Sequence, residues 1–131
     1  MNKILFNLLI IFLCPYTFLL VFAQEKEQPN YEMKTYQMVF LYKGPNRDQD
    51  STETMRIQEG HMANIQRLGN EGKLIVAGPF LDDKDLRGIF IFDSESEVEV
   101  KALVETDPAI IAGRLRYEIH PWMTAKGTCF K

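Results

Sequence analysis

Cysteine is nearly absent from this sequence: the 131 residues include two, Cys14 and Cys129. Cys14 falls in an apolar leader. Once that leader is removed Cys129 stands alone, and an internal disulfide is excluded. The chain is therefore not a small secreted module held together by disulfides. Histidine is as scarce, with only His61 and His120 and no short-range pair between them. A catalytic metal takes about three protein ligands, so no metal site is expected. A glycine-rich phosphate loop, a nucleophile elbow and a dinucleotide fingerprint are all missing, and no cofactor is implied. Basic charge is short as well: 15 Lys and Arg face 18 Asp and Glu, a formal net charge of −3. No basic stripe alternates with aromatics, which excludes nucleic acid as a partner. The mild acidity favours solubility.

Long apolar runs are missing too, except at the start. Lys3 precedes "ILFNLLIIFLCPYTFLLVFA", a stretch without charge. A short basic segment, an apolar segment and "VFA" before Gln24 make residues 1–23 a secretory signal, with small Ala23 at the cleavage position. The competing reading is an uncut anchor, because Ile4 to Phe22 approaches the length that spans a bilayer. Asn7, Pro15 and the cleavage site argue against it. Lipidation of Cys14 is disfavoured by "IFL" before it, which lacks a small side chain. Cleavage sends the chain to the periplasm or beyond, free of the membrane, with roughly a hundred residues left for one small domain. Residues 24–35 are polar, include Pro29 and read as a tether.

The remainder divides into six elements. "YQMVFLY", Tyr36 to Tyr42, is a buried strand ending at Gly44-Pro45. After the loop "NRDQDST", Asp50 with Glu53 gives a capping signature for a helix from about Thr52 to Asn70, stopping near Gly72. Lys73 to Phe80 is a strand closed by Gly78-Pro79, "DDKD" a hairpin-like loop, and Arg87 to Phe92 a third strand. Ser94 with Glu97 starts a second helix that carries Val100, Leu103 and Val104 inward and ends or kinks at Asp107-Pro108. "AIIAG" is a short turn, and Arg114 to His120 the last strand. There Leu115, Tyr117 and Ile119 point one way and Arg114, Arg116, Glu118 and His120 the other. The order βαββαβ specifies an α+β, ferredoxin-like fold with a four-stranded antiparallel sheet and both helices on one face. In the first and third strands both alternating sets are apolar, so the bare face needs a cover. No element is spare, and a second copy of the sheet supplies one. A homodimer is expected.

With these elements placed, "HMANIQRLGNEGKLIVAGPF", "GIFIF", "DPAIIAG" and "EIHPW" resemble the YCII-related (YciI-like) family over roughly residues 36–123. The resemblance implies a ferredoxin-like dimeric α+β barrel and an active site built on a histidine and an aspartate, here His61 and Asp107. It also implies small-molecule chemistry. One class of relatives removes HCl from a chlorinated hydroxyhydroquinone, and the wider superfamily includes muconolactone isomerases and small monooxygenases. This chain departs from short cytoplasmic members by its leader, its longer loop from Pro45 to Thr52, and its tail, residues 124–131. Those departures bear on the substrate more than on the fold.

The residues themselves permit that chemistry without requiring it. Ile57, His61, Ile65 and Leu68 share a helix face, which turns an imidazole toward the core. An imidazole takes and returns a proton near neutral pH, and a carboxylate on one ring nitrogen fixes its tautomer. Asp107 continues the Val100, Leu103, Val104 face and is placed to serve. The alternative is a core histidine bonded to a backbone carbonyl, with Asp107 capping the turn before Pro108. Arg114 and Arg116 are candidates for an anionic substrate, against a solvated strand face; His120 shares that face. Gly78, Pro79 and Phe80 are candidate ligand contacts, against an ordinary strand-ending turn. Trp122 reads as packing. Two functions follow: a cofactor-independent lyase or isomerase moving a proton on a small cyclic or anionic molecule, or a non-catalytic periplasmic binding or interaction protein. The leader is the part testable at once: N-terminal sequencing of the protein from its native envelope should begin at Gln24 or within a few residues, and a mature protein that retains Met1 refutes export by cleavage.

Overall fold

The computed structural model describes residues 30–128; the leader, residues 24–29 of the tether and Cys129 lie outside them. Four strands and three helices follow in the order β1 (Met33–Lys43), α1 (Ser51–Asn70), β2 (Leu74–Pro79), β3 (Leu86–Phe92), α2 (Glu97–Val104), α3 (Pro108–Ile111) and β4 (Leu115–Ala125). The strands form one antiparallel sheet in the order β2-β3-β1-β4. This is the ferredoxin-like arrangement, with helical crossings from β1 to β2 and from β3 to β4 and a hairpin between β2 and β3.

Side-chain alternation assigns the faces. Val39 and Leu41 of β1 and Phe90 and Phe92 of β3 point to one side, where they pack with Leu68 of α1 and Val100 and Val104 of α2. Both long helices therefore cover the same face. Phe92, Val39 and Val100 are wholly buried there. The other face carries Tyr36, Met38 and Phe40 beside Ile89 and Ile91, with Trp122 across from Tyr36. It is apolar and lacks a cover within the described chain.

Helix boundaries follow from local chemistry. The Asp50 carboxylate accepts the Glu53 N–H at 2.8 Å and opens α1. The reciprocal half of a capping box does not form, because Glu53 turns to Arg56 at 2.6 and 2.8 Å. That ion pair holds the Glu53 carboxyl below its usual range. At the other end Lys73 N–H bonds Leu68 C=O and Gly72 N–H bonds Gly69 C=O, a Schellman closure. The second helix begins two residues later than Ser94 suggests. Ser96 is its cap, its hydroxyl accepting Glu99 N–H, while Ser94 binds the Glu99 carboxylate instead.

The sheet is longer than the sequence pattern implies. The polar tether was expected to run to Thr35 and the last strand to stop at His120. Instead Met33, Lys34 and Thr35 pair with Ala125, Thr124 and Met123. The strand passes through Pro121 because β4 is an edge strand, which tolerates a residue without an N–H. Thr124 and Ala125 of the supposed tail are thus sheet. "AIIAG" is likewise not a plain turn; its first residues, after Pro108, form α3. Among the described residues no helix is long and apolar enough to cross a membrane.

Candidate functional site

The middle of α1 meets the start of α3 on the covered face. In α1 the row Ile57, His61, Ile65, Leu68 turns inward; Ile57 and Leu68 are buried and the His61 side chain is 13% exposed. In the chain after α2, Asp107 is fully buried and caps α3. His61 Nδ1 lies 2.7 Å from Asp107 Oδ2. The second carboxylate oxygen, Oδ1, accepts the Ala109 N–H at 2.8 Å. The two roles that the sequence offers as alternatives for Asp107, cap and histidine partner, are thus both present, one on each oxygen. A buried carboxylate without donors is costly, and these two bonds offset that cost.

The bond also fixes the ring. Asp107 as a carboxylate only accepts, so Nδ1 carries the hydrogen and donates it. Nε2 keeps the lone pair. The imidazole lies along the Phe90 ring, centroids 6.0 Å apart and planes 25° from parallel. A close approach makes the geometry possible. Gly60 precedes His61, and a Cβ there would sit 2.9 Å from Pro108 Cγ. With hydrogen at that position, α3 rests directly on α1 and brings Asp107 to the imidazole.

His61 borders a cavity of about 450 Å³, within the range of small-molecule sites. One wall is apolar, with Leu41, Ile65 and Phe90; the β2 end adds Gly78 and Pro79; Arg47, Arg87 and Arg114 supply charge. Among the described residues that line it, none is Asp or Glu. Arg114 Nη1 donates to Gln49 Oε1 at 2.7 Å and to Thr54 Oγ1 at 3.3 Å, which holds it against the start of α1.

Of the residues expected at a site, the structure gathers His61, Asp107, Gly78, Pro79 and Arg114. It leaves Phe80, Arg116 and His120 outside this cavity. Phe80 lies just past β2 and is 41% exposed. Arg116 and His120 point from the opposite face of the sheet. Arg116 binds Asp85 at 2.6 Å and lies over the Tyr42 ring; His120 packs edge-on against Phe40. Arg114 and Arg116 therefore do not act as a pair. The strand starts at Leu115, and Arg114 belongs to the turn before it. There Gly113 (φ 69°) closes α3, with Arg114 N–H on Ala109 C=O, and this turn sends the Arg114 side chain to the helix side. Arg47 and Arg87 were not anticipated. They sit in loop and strand segments with no local pattern, and only the folded chain brings them to His61.

The sequence pattern of the YCII-related domain matches residues 35–123, nearly all of the folded part. The chain belongs to the YCII-related family. Among solved structures, it is similar to the 5-chloro-2-hydroxyhydroquinone dehydrochlorinase of Burkholderia phenoliruptrix in complex with 2,5-dihydroxybenzoquinone. The likeness is 29% identity over 66% of this chain and 92% of that one, with a TM-score of 0.48. No curated protein matches this chain. Family membership and the observed sheet order agree on the ferredoxin-like fold.

The two bonds of Asp107 make its loss measurable. Asp107→Ala should lower stability by about 1–3 kcal/mol, since the Ala109 N–H and His61 Nδ1 both lose their acceptor. Urea unfolding checks the value; a change under a few tenths of a kcal/mol shows that the two bonds contribute nothing net.

Proposed function

We propose that this protein is a cofactor-independent enzyme that moves a proton on a small cyclic or anionic molecule, with His61 as the general acid–base and Asp107 as its orienting partner. One observation carries the reading: the 2.7 Å His61–Asp107 bond lies beside a cavity of about 450 Å³, with the other ring nitrogen left for a ligand. Asp107 holds the tautomer and would stabilise the imidazolium formed when Nε2 takes a proton. Phe90 and the aliphatic wall exclude water from one side of the ring.

Two reactions use this device. In an elimination, Nε2 accepts a proton from carbon, the C–H electron pair becomes a new C=C bond, and chloride leaves from the adjacent carbon with the C–Cl pair. The proton then passes to solvent. In an isomerisation the same proton returns from Nε2 to a different carbon of the substrate. The family resemblance in the sequence supports the first, dehydrochlorination. Neither step draws on a group other than the dyad and the substrate.

His61→Ala should reduce turnover by about 10²–10⁴-fold, the usual contribution of a general acid–base. Asp107→Asn should impair the same step, because an amide can present its NH₂ to Nδ1 and disturb the tautomer. A panel of halogenated hydroquinones and of lactone acids, followed by chloride release and by ring absorbance, supplies the assay. Full activity in His61→Ala refutes the proposal.

The uncovered sheet face supports a second part of the reading, a symmetric homodimer that packs sheet on sheet. Tyr36, Met38, Phe40, Ile89 and Trp122 are the surface to be covered. Such an interface should bury more than about 1,200 Å² in total. Light scattering at micromolar concentration should give twice the chain mass; a monomer there refutes it. With the leader cleaved, this dimer works in the periplasm or outside the cell.

A further inference from the structure

We infer that Arg47 and Arg114 form an anion seat in the His61 cavity, and that the ring compound this protein takes carries a carboxylate. The inference rests on the reading of the cavity as a substrate site and adds the chemical class of the ligand.

The chain has six arginines, Arg47, Arg56, Arg67, Arg87, Arg114 and Arg116. Four have a carboxylate within ion-pair distance: Arg56 with Glu53, Arg67 with Glu71, Arg87 with Asp83, and Arg116 with Asp85. Arg47 and Arg114 have none among the described residues, and both line the cavity beside His61. On a chain with a net charge of −3, two guanidinium groups without a carboxylate partner among the described residues line one concave site. Asp83 is near enough to Arg47 for its carboxyl to be lowered slightly by it, but Lys43, at 2.9 Å, and Arg87 already hold that side chain.

The hydrogen-bond partners of these arginines are neutral. Arg47 Nη1 donates to the Arg114 carbonyl at 3.2 Å, and Arg114 Nη1 donates to Gln49 and Thr54 oxygens. These bonds hold both side chains at the cavity without cancelling charge. Each guanidinium keeps further N–H donors in a planar fork, the geometry that matches a carboxylate. Opposite them are Leu41, Ile65 and Phe90, which suit an apolar ring, and His61. A ring carboxylate satisfies all three features at once: its charge on the arginines, its ring on the apolar wall, and a ring carbon toward Nε2. Arg47 belongs to the loop of residues 44–50, so the seat is partly a property of that loop.

Isothermal titration calorimetry with 2,5-dihydroxybenzoate and its uncharged analogue 2,5-dihydroxybenzamide tests the inference on the mature chain. The wild type should bind the carboxylate about tenfold or more tightly than the amide, the scale of one charge-assisted hydrogen-bond set. Arg47→Gln, on an exposed loop, and Arg114→Gln should each bring that ratio toward one while leaving amide affinity unchanged. Arg56→Gln should leave the ratio as it is. Should Arg114→Gln fail to fold, Arg47→Gln alone decides. A wild-type ratio near one, a ratio unchanged in Arg47→Gln, or no binding of the carboxylate at millimolar concentration overturns the inference. His61→Ala separates the two readings. Its ratio should match wild type whatever its turnover, so loss of the ratio condemns the anion seat and retained turnover condemns the dyad.

Discussion

The carboxylate of Asp107 is the constraint on which the rest of the site depends. It is fully buried, and it has two donors, one backbone and one imidazole. The backbone donor belongs to the first turn of α3, so the acid cannot reach His61 unless that short helix is formed and seated on α1. Seating in turn requires Gly60, where a side chain would meet Pro108. Asp107, Pro108, Gly60 and His61 are thus one unit. Its stability comes from capping and packing, and its chemistry from the ring orientation that capping and packing leave over.

How far the sequence revealed this depends on the range over which each signal acts. His61 was legible because a 3.6-residue period is local: its neighbours in the row, Ile57 and Leu68, are as buried as the spacing implies. Asp107 was legible as the residue that ends the second helix or caps the turn before Pro108, and its meeting with His61 followed once two helices shared a face. Arg114 shows the limit. Counting alternation back from Ile119 put it with Arg116, but one positive-φ glycine before the strand reversed its direction. Nothing local distinguishes a residue inside the strand from one in the turn beside it. Arg47 carried no periodic signal at all. The extension of β1 to Met33 was hidden by composition, since Lys34 and Thr35 look like tether until Thr124 and Met123 are seen to pair with them.

The two faces of the sheet divide the work. The covered face is closed by aliphatic and aromatic packing and opens at the cavity beside His61. The other face places charge at one end, where Arg116, Asp85 and Glu118 gather near Tyr42, and apolar rings at the other, where Tyr36 meets Trp122. Such segregation within one face gives it a direction. Two copies related by a two-fold axis can set ring against ring or charge against charge, and register between them follows from that choice.

The loop of residues 44–50 is fastened at its root by main-chain atoms. Gly44 N–H bonds Arg114 C=O, and Asn46 N–H bonds Gly113 C=O. These bonds do not depend on which side chains the loop carries. Residues 47–49 can therefore be exchanged by mutation while the strand, the helix start and the His61–Asp107 unit stay in place. Under the proposed function, the scaffold separates what holds the reaction from what selects the molecule. Related proteins can then diverge in diet by rewriting a few codons at the rim and leaving the interior untouched.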